Sequence, residues 1–176
     1  MGRLLFEMSQ SLFDQHILPV SDKMYRYALS ILKDADLASD VVQECLSKIW
    51  TKRSTLNKIN NHEAWVMRIV RNQCYDWVKL NRFTVLTDED KVISDRALAD
   101  DNTLLNDRMS WLKIVLESLP EKQKEVFHLR EIEDLTYQDI SEILSISINE
   151  VKVNLHRARI KVRETIQKID AYGIAN

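Results

Sequence analysis

Apolar residues recur along most of this chain at three- and four-residue spacing, the signature of helices that bury one face. Near the start, Phe13, Ile17, Tyr27, Ala28, Ile31 and Leu32 predict helix interrupted near Pro19, whose ring cannot continue one. Val42, Cys45, Leu46 and Ile49 then follow at i, i+3, i+4 and i+7, leaving Asp40, Gln43, Glu44 and Ser47 on the other side. A third helix opens at NNHEAW, where Asn60 and Glu63 have capping-box spacing. On it Val66, Val70, Cys74, Trp77 and Leu80 share one arc, expected to be buried. Arg68, Arg71, Asn72, Tyr75, Lys79 and Arg82 share the opposite arc.

The stripe lapses over residues 83–107, FTVLTDEDKVISDRALADDNTLLND. This segment is expected to be an acidic, flexible linker between helical domains at 9–82 and 108–170. Beyond it, VKVNLH alternates like a strand, but the alternation is too short to account for its surroundings. Ile148, Val151, Leu155, Ala158, Val162, Ile166 and Ile169 fall within an arc of about 80° at helical spacing. Thr136 with Asp139, and Ser147 with Glu150, each match [ST]-x-x-[DE], so helix starts are signalled twice. The reading is a helix-turn-helix, one helix near 136–144 and a second from 148 onward. The fold class is therefore all-α: two small helical domains, the C-terminal one carrying the helix-turn-helix.

Composition narrows the chemistry. With two Gly and two Pro in 176 residues, no glycine-rich phosphate loop can be built. Cys45 and Cys74 form no CxxC, and His16, His62, His128 and His156 lack ligand spacing. No metal or other cofactor is expected, and both cysteines are read as ordinary reduced, half-buried residues. No apolar run is long enough to span a membrane and no signal peptide is evident, so the expected location is the cytoplasm. The net charge of −2 hides a segregation. Residues 1–82 hold 12 Lys and Arg against 9 Asp and Glu, residues 83–107 hold 2 against 7, and residues 108–176 hold 11 against 11.

Within the last segment the cations concentrate. Residues 148–163 carry five Lys or Arg and one Glu, whereas 121–142 carry three and seven. A generic helical hairpin explains the apolar stripe but not this outer face. In a recognition helix the early residues face base edges and later cations meet phosphate. Asn149, Lys152, Val153, Asn154, His156, Arg157 and Lys161 are placed for this. Asn suits adenine, Arg suits guanine, and Val can touch a thymine methyl. The basic arc of the third helix, with its Tyr and Asn, equally suits a single strand. A solvated cationic face is the plain alternative there.

Three stretches together resemble the ECF (extracytoplasmic function) class of bacterial sigma factors. DADLASDVVQECLSKIW is similar to the family's D-x-x-Q-E helix, and AWVMRIVRNQCYDWVK to its A-W-x-x-x-I-x-x-N segment. LPEKQKEVFHLREIEDLTYQDISEILSISINEVKVNLHRAR is similar to the C-terminal region. The resemblance implies a transcription initiation factor whose partners are core RNA polymerase, through its β′ and β subunits, and promoter DNA. It also implies an anti-sigma factor, free or membrane-bound. Asp40, Gln43 and Glu44 would dock on polymerase. The segment 55–62, with Asn60, Asn61 and His62, and then Arg68, Arg71, Asn72, Tyr75 and Lys79, would take the unpaired −10 strand. The 149–157 face and Lys161 would read the −35 duplex, and the acidic linker would enter the RNA-exit path.

The linker fits that class. Twenty-five residues cannot hold a further helical domain, yet extended they reach roughly 80–90 Å, beyond the roughly 50 Å between two sites one and a half duplex turns apart. Three positions depart from the family pattern: Ser145 where Gly is common, which predicts a strained turn, Glu150 where Ser or Thr is frequent, and Val153 in place of a polar residue. The rival reading is a stand-alone helix-turn-helix regulator, which needs a dimer interface or effector pocket that the sequence does not display. An enzyme is a third class, but no paired carboxylates, metal cluster or nucleophile constellation stands out, and no small-molecule substrate is expected.

Overall fold

The structure, a computed structural model, describes residues 10–85 and 115–171, with side chains to 81 and 168. Within them it contains helices and turns and no strand. The chain divides into two compact units, one holding residues 10–85 and the other most of 115–171. Most of the segment read as a linker, residues 86–107, lies outside the described residues. Its first three residues do not behave as linker: they finish a helix, and neither Gly nor Pro stands there to stop it.

In the N-terminal unit a helical lead-in at residues 10–16 gives way to a 3-10 turn, Leu18–Val20, with Pro19 in its first turn. Helix α1 (Ser21–Leu32) follows, so the predicted interruption is real and Pro19 sits where its missing N–H costs nothing. A two-residue turn joins α1 to α2 (Ala35–Thr51). Lys33 takes a left-handed conformation (φ 59°) and caps α1, and the Asp34 carboxylate accepts from the Leu37 N–H at 2.9 Å to cap α2. A 3-10 segment, Arg53–Lys58, leads to α3 (His62–Val85).

The helices α1, α2 and α3 each pack on the other two. Their core is Met24, Tyr27 and Ala28 from α1, Val41, Val42, Cys45 and Ile49 from α2, and Val66, Met67, Val70 and Cys74 from α3. Both cysteines are fully buried rather than half-buried, and both are free thiols. Trp50 is partly covered, edge-on to Phe13 at 5.0 Å, with the Arg53 guanidinium 4.3 Å from its ring. The arc of α3 departs from expectation at its far end. Trp77 is 38% and Leu80 69% exposed, because α3 continues past the last turn that α1 and α2 cover.

In the C-terminal unit α4 (Glu121–Phe127) starts after Pro120 and widens into a π turn, His128–Ile132. That turn buries an unusual group for so small a core: Glu125, His128 and Glu133, with His128 Nε2 3.2 Å from Glu133 Oε1. Arg130 closes the loop by donating to the Leu135 carbonyl at 2.7 Å. Helices α5 (Tyr137–Leu144) and α6 (Ile148–Ala171) form the helix-turn-helix within a residue of its expected bounds. Both capping boxes are made. Thr136 and Asp139 exchange bonds at 2.9 and 3.1 Å, and Ser147 and Glu150 do so at 2.9 and 3.2 Å.

Helix α6 packs on α4 through the middle of its stripe, where Val151, Leu155 and Ala158 are buried. The stripe's ends are not core: Ile148 is 38% and Ile166 46% exposed, since α6 outruns the helix it covers. At the turn, Ser145 is left-handed (φ 53°, ψ 46°), the conformation glycine adopts without penalty. Its N–H bonds back to Ser141. The Ser141 hydroxyl in turn donates to the Ile146 carbonyl at 2.6 Å. A left-handed non-glycine costs about 1–2 kcal/mol and a glycine loses about 0.5–1 kcal/mol more backbone entropy. Ser145→Gly is therefore expected to stabilise the chain by up to about 1 kcal/mol, and Ser145→Val to destabilise it, measured by urea unfolding followed by circular dichroism. A glycine variant less stable than wild type would show that the strain at this turn is smaller than the backbone entropy a glycine loses.

Candidate nucleic-acid interface

The N-terminal surface is set by how α3 begins. Asn61 Oδ1 accepts from the Ala64 N–H at 3.0 Å, so the cap is Asn61 and not Asn60. Glu63 does not complete a capping box; it reaches Lys23 on α1 at 2.6 Å, a part-buried pair that ties the two helices together. His62 Nε2 lies 3.0 Å from the Leu56 carbonyl, which can only accept, so that nitrogen carries the proton. The bond clamps the 3-10 segment, anchored by buried Leu56, to the first turn of α3. His16 stacks on His62 with ring centroids 4.8 Å apart. Of the three residues expected before the helix, Asn61 and His62 hold the loop in place while Asn60 is exposed.

Along α3, Arg68, Asn72 and Lys79 are exposed and Arg71 and Tyr75 half-buried. The Arg71 guanidinium sits 4.7 Å from the Tyr75 ring centroid, a cation–π contact that fixes both groups. Arg71, Asn72, Tyr75, Asp76 and Lys79 together line an open depression. Five of the predicted residues of α3 therefore share one face, with a carboxylate among them that the pattern of cations did not single out.

Asp40, Gln43 and Glu44 project from α2 and are exposed. Glu44 is not isolated. One of its oxygens meets Lys48 Nζ at 2.7 Å and the other accepts from Gln73 Nε2 of α3 at 3.1 Å. Lys48 Nζ donates to Gln73 Oε1 at 3.0 Å, closing a ring of three side chains. The i, i+4 spacing of Glu44 and Lys48 was visible in the sequence; Gln73 gave no signal, because its partners are 25 and 29 residues away.

On α6, Asn149, Lys152, Val153, His156, Arg157 and Lys161 are all exposed, Val153 at 46%. Asn154 is half-buried and donates from Nδ2 to the Glu150 carbonyl at 2.8 Å, a bond that uses one of its two amide hydrogens and leaves its oxygen as an acceptor. Glu150 spends its carboxylate on Ser147, whose backbone N–H and hydroxyl hold its pKa below the ordinary value. The next cation, Arg159, lies one heptad beyond Lys152 on the same arc but is spent within the unit: its Nε and terminal nitrogen both reach Glu131 of the π turn, at 3.0 and 2.6 Å. It is an anchor of α6, and its pKa is raised by that bond.

The chain matches the family description Sigma-70 region 2 over residues 17–84 and Sigma-70, region 4 over residues 111–162. It is 29% identical over 147 residues to the RNA polymerase sigma factor SigV of Bacillus subtilis, taking in 83% of this chain and 86% of that protein. It is 22% identical to the ECF RNA polymerase sigma factor SigW of the same species, over 84% of this chain and 85% of the other. The sigma factor RpoE, solved with the anti-sigma factor NepR from Bartonella quintana, superposes with a TM-score of 0.70 at 26% identity, over 88% of this chain and 96% of that one. The fold of CnrH, solved with the cytosolic domain of CnrY, is also similar, with a TM-score of 0.66 at 21% identity. The two matched regions together span well over half of the chain and define a sigma-70-type transcription initiation factor. The protein belongs to the ECF sigma factors.

An exposed ring such as Glu44–Lys48–Gln73 holds geometry more than it adds stability. A double-mutant cycle of Glu44→Ala and Gln73→Ala, read by urea unfolding, is expected to give a coupling of about 0.2–1 kcal/mol. Zero coupling would mean the ring does not persist in solution.

Proposed function

We propose a residue-level division of labour for this sigma factor, which binds core RNA polymerase and directs it to promoters. The exposed Asp40, Gln43 and Glu44 dock on the β′ subunit. The 3-10 segment and the outward face of α3 (Asn60, Asn61, His62, Arg68, Arg71, Asn72, Tyr75, Lys79) take the non-template strand of the −10 element. Asn149, Lys152, Val153, Asn154, His156, Arg157 and Lys161 on α6 read the −35 duplex. The observation that supports this most is the segregation of α3 and α6 into a buried apolar arc and an outward arc of cations and amides, joined on α3 by Tyr75. The site is a binding surface, and the protein is not an enzyme. Among the described residues no helix is long and apolar enough to cross a membrane, and the proposed place of work is the bacterial cytoplasm. Solved relatives sit with anti-sigma factors, NepR and the cytosolic domain of CnrY, and an anti-sigma factor is the proposed regulatory partner here.

The test follows from charge. Non-specific affinity for duplex comes from neutralised phosphates, and a chain of net charge −2 has little to spare. On one promoter fragment the protein alone is expected to give weak, salt-sensitive shifts. With core polymerase it is expected to give a stable complex and permanganate-reactive, opened DNA. Tight, sequence-specific binding by the free protein with no opening by polymerase would favour a stand-alone regulator.

Readers and anchors on α6 separate by a second measurement. Asn154→Ala is expected to relax preference at one or two −35 positions by about 1–3 kcal/mol. Lys161→Ala is expected to weaken all sequences alike and lower the salt slope by about one unit. A uniform loss from Asn154→Ala would reassign it as a helix residue that serves only its bond to Glu150.

A further inference from the structure

The open depression on α3 offers about 410 Å³, within the range that takes a small organic group. Its polarity is ordered along the helix. Arg71 and Lys79 stand eight residues, or about 12 Å, apart at its two ends, with Asn72, Tyr75 and Asp76 between them. Cations at the ends suit backbone phosphates; a carboxylate in the middle repels them. Asp76 and Lys79 are at ion-pair spacing, yet among the described residues Asp76 is in no ion pair or hydrogen bond, and neither are the side chains of Asn72 and Lys79. Arg71, by contrast, already lies against Tyr75 at 4.7 Å. The depression therefore holds an aromatic wall fixed in advance and three polar groups with their hydrogen-bonding capacity unspent. A carboxylate can only accept.

The geometry points to Asp76 as a specificity-determining residue that accepts hydrogen bonds from the Watson–Crick edge of one unpaired base of the promoter strand, guanine above the others. Guanine offers two adjacent donors on that edge, N1–H and the N2 amino group, matching the two carboxylate oxygens. Adenine and cytosine offer one amino group each beside an acceptor. Thymine offers one N–H between two carbonyls that the carboxylate repels. Reading a base on this edge requires it to be out of the duplex, which is the state of the −10 strand in the opened complex. The inference rests on the proposed DNA-facing role of α3 and names which base chemistry that face prefers.

The experiment selects from a randomised non-template-strand library with holoenzyme assembled from wild type, Asp76→Ala, Asp76→Asn and Lys79→Ala, normalised to holoenzyme formed, with helical content checked by circular dichroism. Wild type is expected to enrich guanine at one position. Asp76→Ala is expected to lose that preference by about 5- to 150-fold, the range of one good base contact. Asp76→Asn, which adds donors, is expected to move the preference away from guanine. Replacing the selected guanine by hypoxanthine, which lacks the N2 amino group, is expected to weaken wild type and leave Asp76→Ala unaffected. Identical selections by wild type and both Asp76 variants, with Lys79→Ala still weakening strand capture, would overturn this inference alone. Strand capture unchanged by Lys79→Ala would overturn the DNA-facing reading of α3 and this inference with it.

Discussion

The rotation of α3 about its own axis governs what the N-terminal unit can present. Val66, Val70 and Cys74 are fully buried, and each such side chain contributes about 1.5–3 kcal/mol when taken from water. A turn of the helix by half a revolution would expose all three. The outward cations contribute little to stability by comparison. The core therefore decides which residues look outward, and Arg68, Asn72 and Lys79 inherit their direction from it. Position along the axis is fixed separately, by the Asn61 cap, the Lys23–Glu63 pair and the His62 clamp on Leu56.

The C-terminal unit meets the same requirement with less core to draw on. Three buried residues of α6 seat it, and the rest of its orientation comes from polar bonds at its start and flank. The two capping boxes fix where α5 and α6 begin, and Ser145 sets the turn between them. The Arg159–Glu131 bond ties the flank of α6 to the π turn and so helps hold the direction of the exposed Asn149, Lys152, Val153, His156, Arg157 and Lys161. Ser145 and Glu150 depart from the family pattern without loss of the motif. The serine accepts the left-handed geometry, and the glutamate turns inward to its cap instead of outward.

Much of this was legible in the sequence where the cause was local. Thr136 with Asp139 and Ser147 with Glu150 announced both helix starts because a cap is made within four residues. Pro19 marked its break for the same reason. The readings that failed needed knowledge of neighbours. Periodicity placed Trp77, Leu80, Ile148 and Ile166 on apolar arcs correctly, but it cannot say where the covering helices end, and all four lie beyond them. Asn60 lost the cap to Asn61 because two adjacent asparagines fit the same signal and Glu63 is claimed by Lys23. Gln73 and the buried Glu125–His128–Glu133 group were unreadable, their roles arising from tertiary contacts or a π turn that no short pattern encodes.

The burial of the two cysteines has a chemical consequence. Removal from water pushes the Cys45 thiol up to about 11 and, with Cys45 nearby, the Cys74 thiol up to about 12. At neutral pH the thiolate of Cys45 is then on the order of one part in ten thousand. Only the thiolate attacks alkylating reagents and disulfides. While the three helices stay packed, both sulfurs are inert by chemistry as well as by access. Every labelling event thus records a moment when the packing of α1, α2 and α3 has opened, and the chain carries its own clock for the breathing of that core.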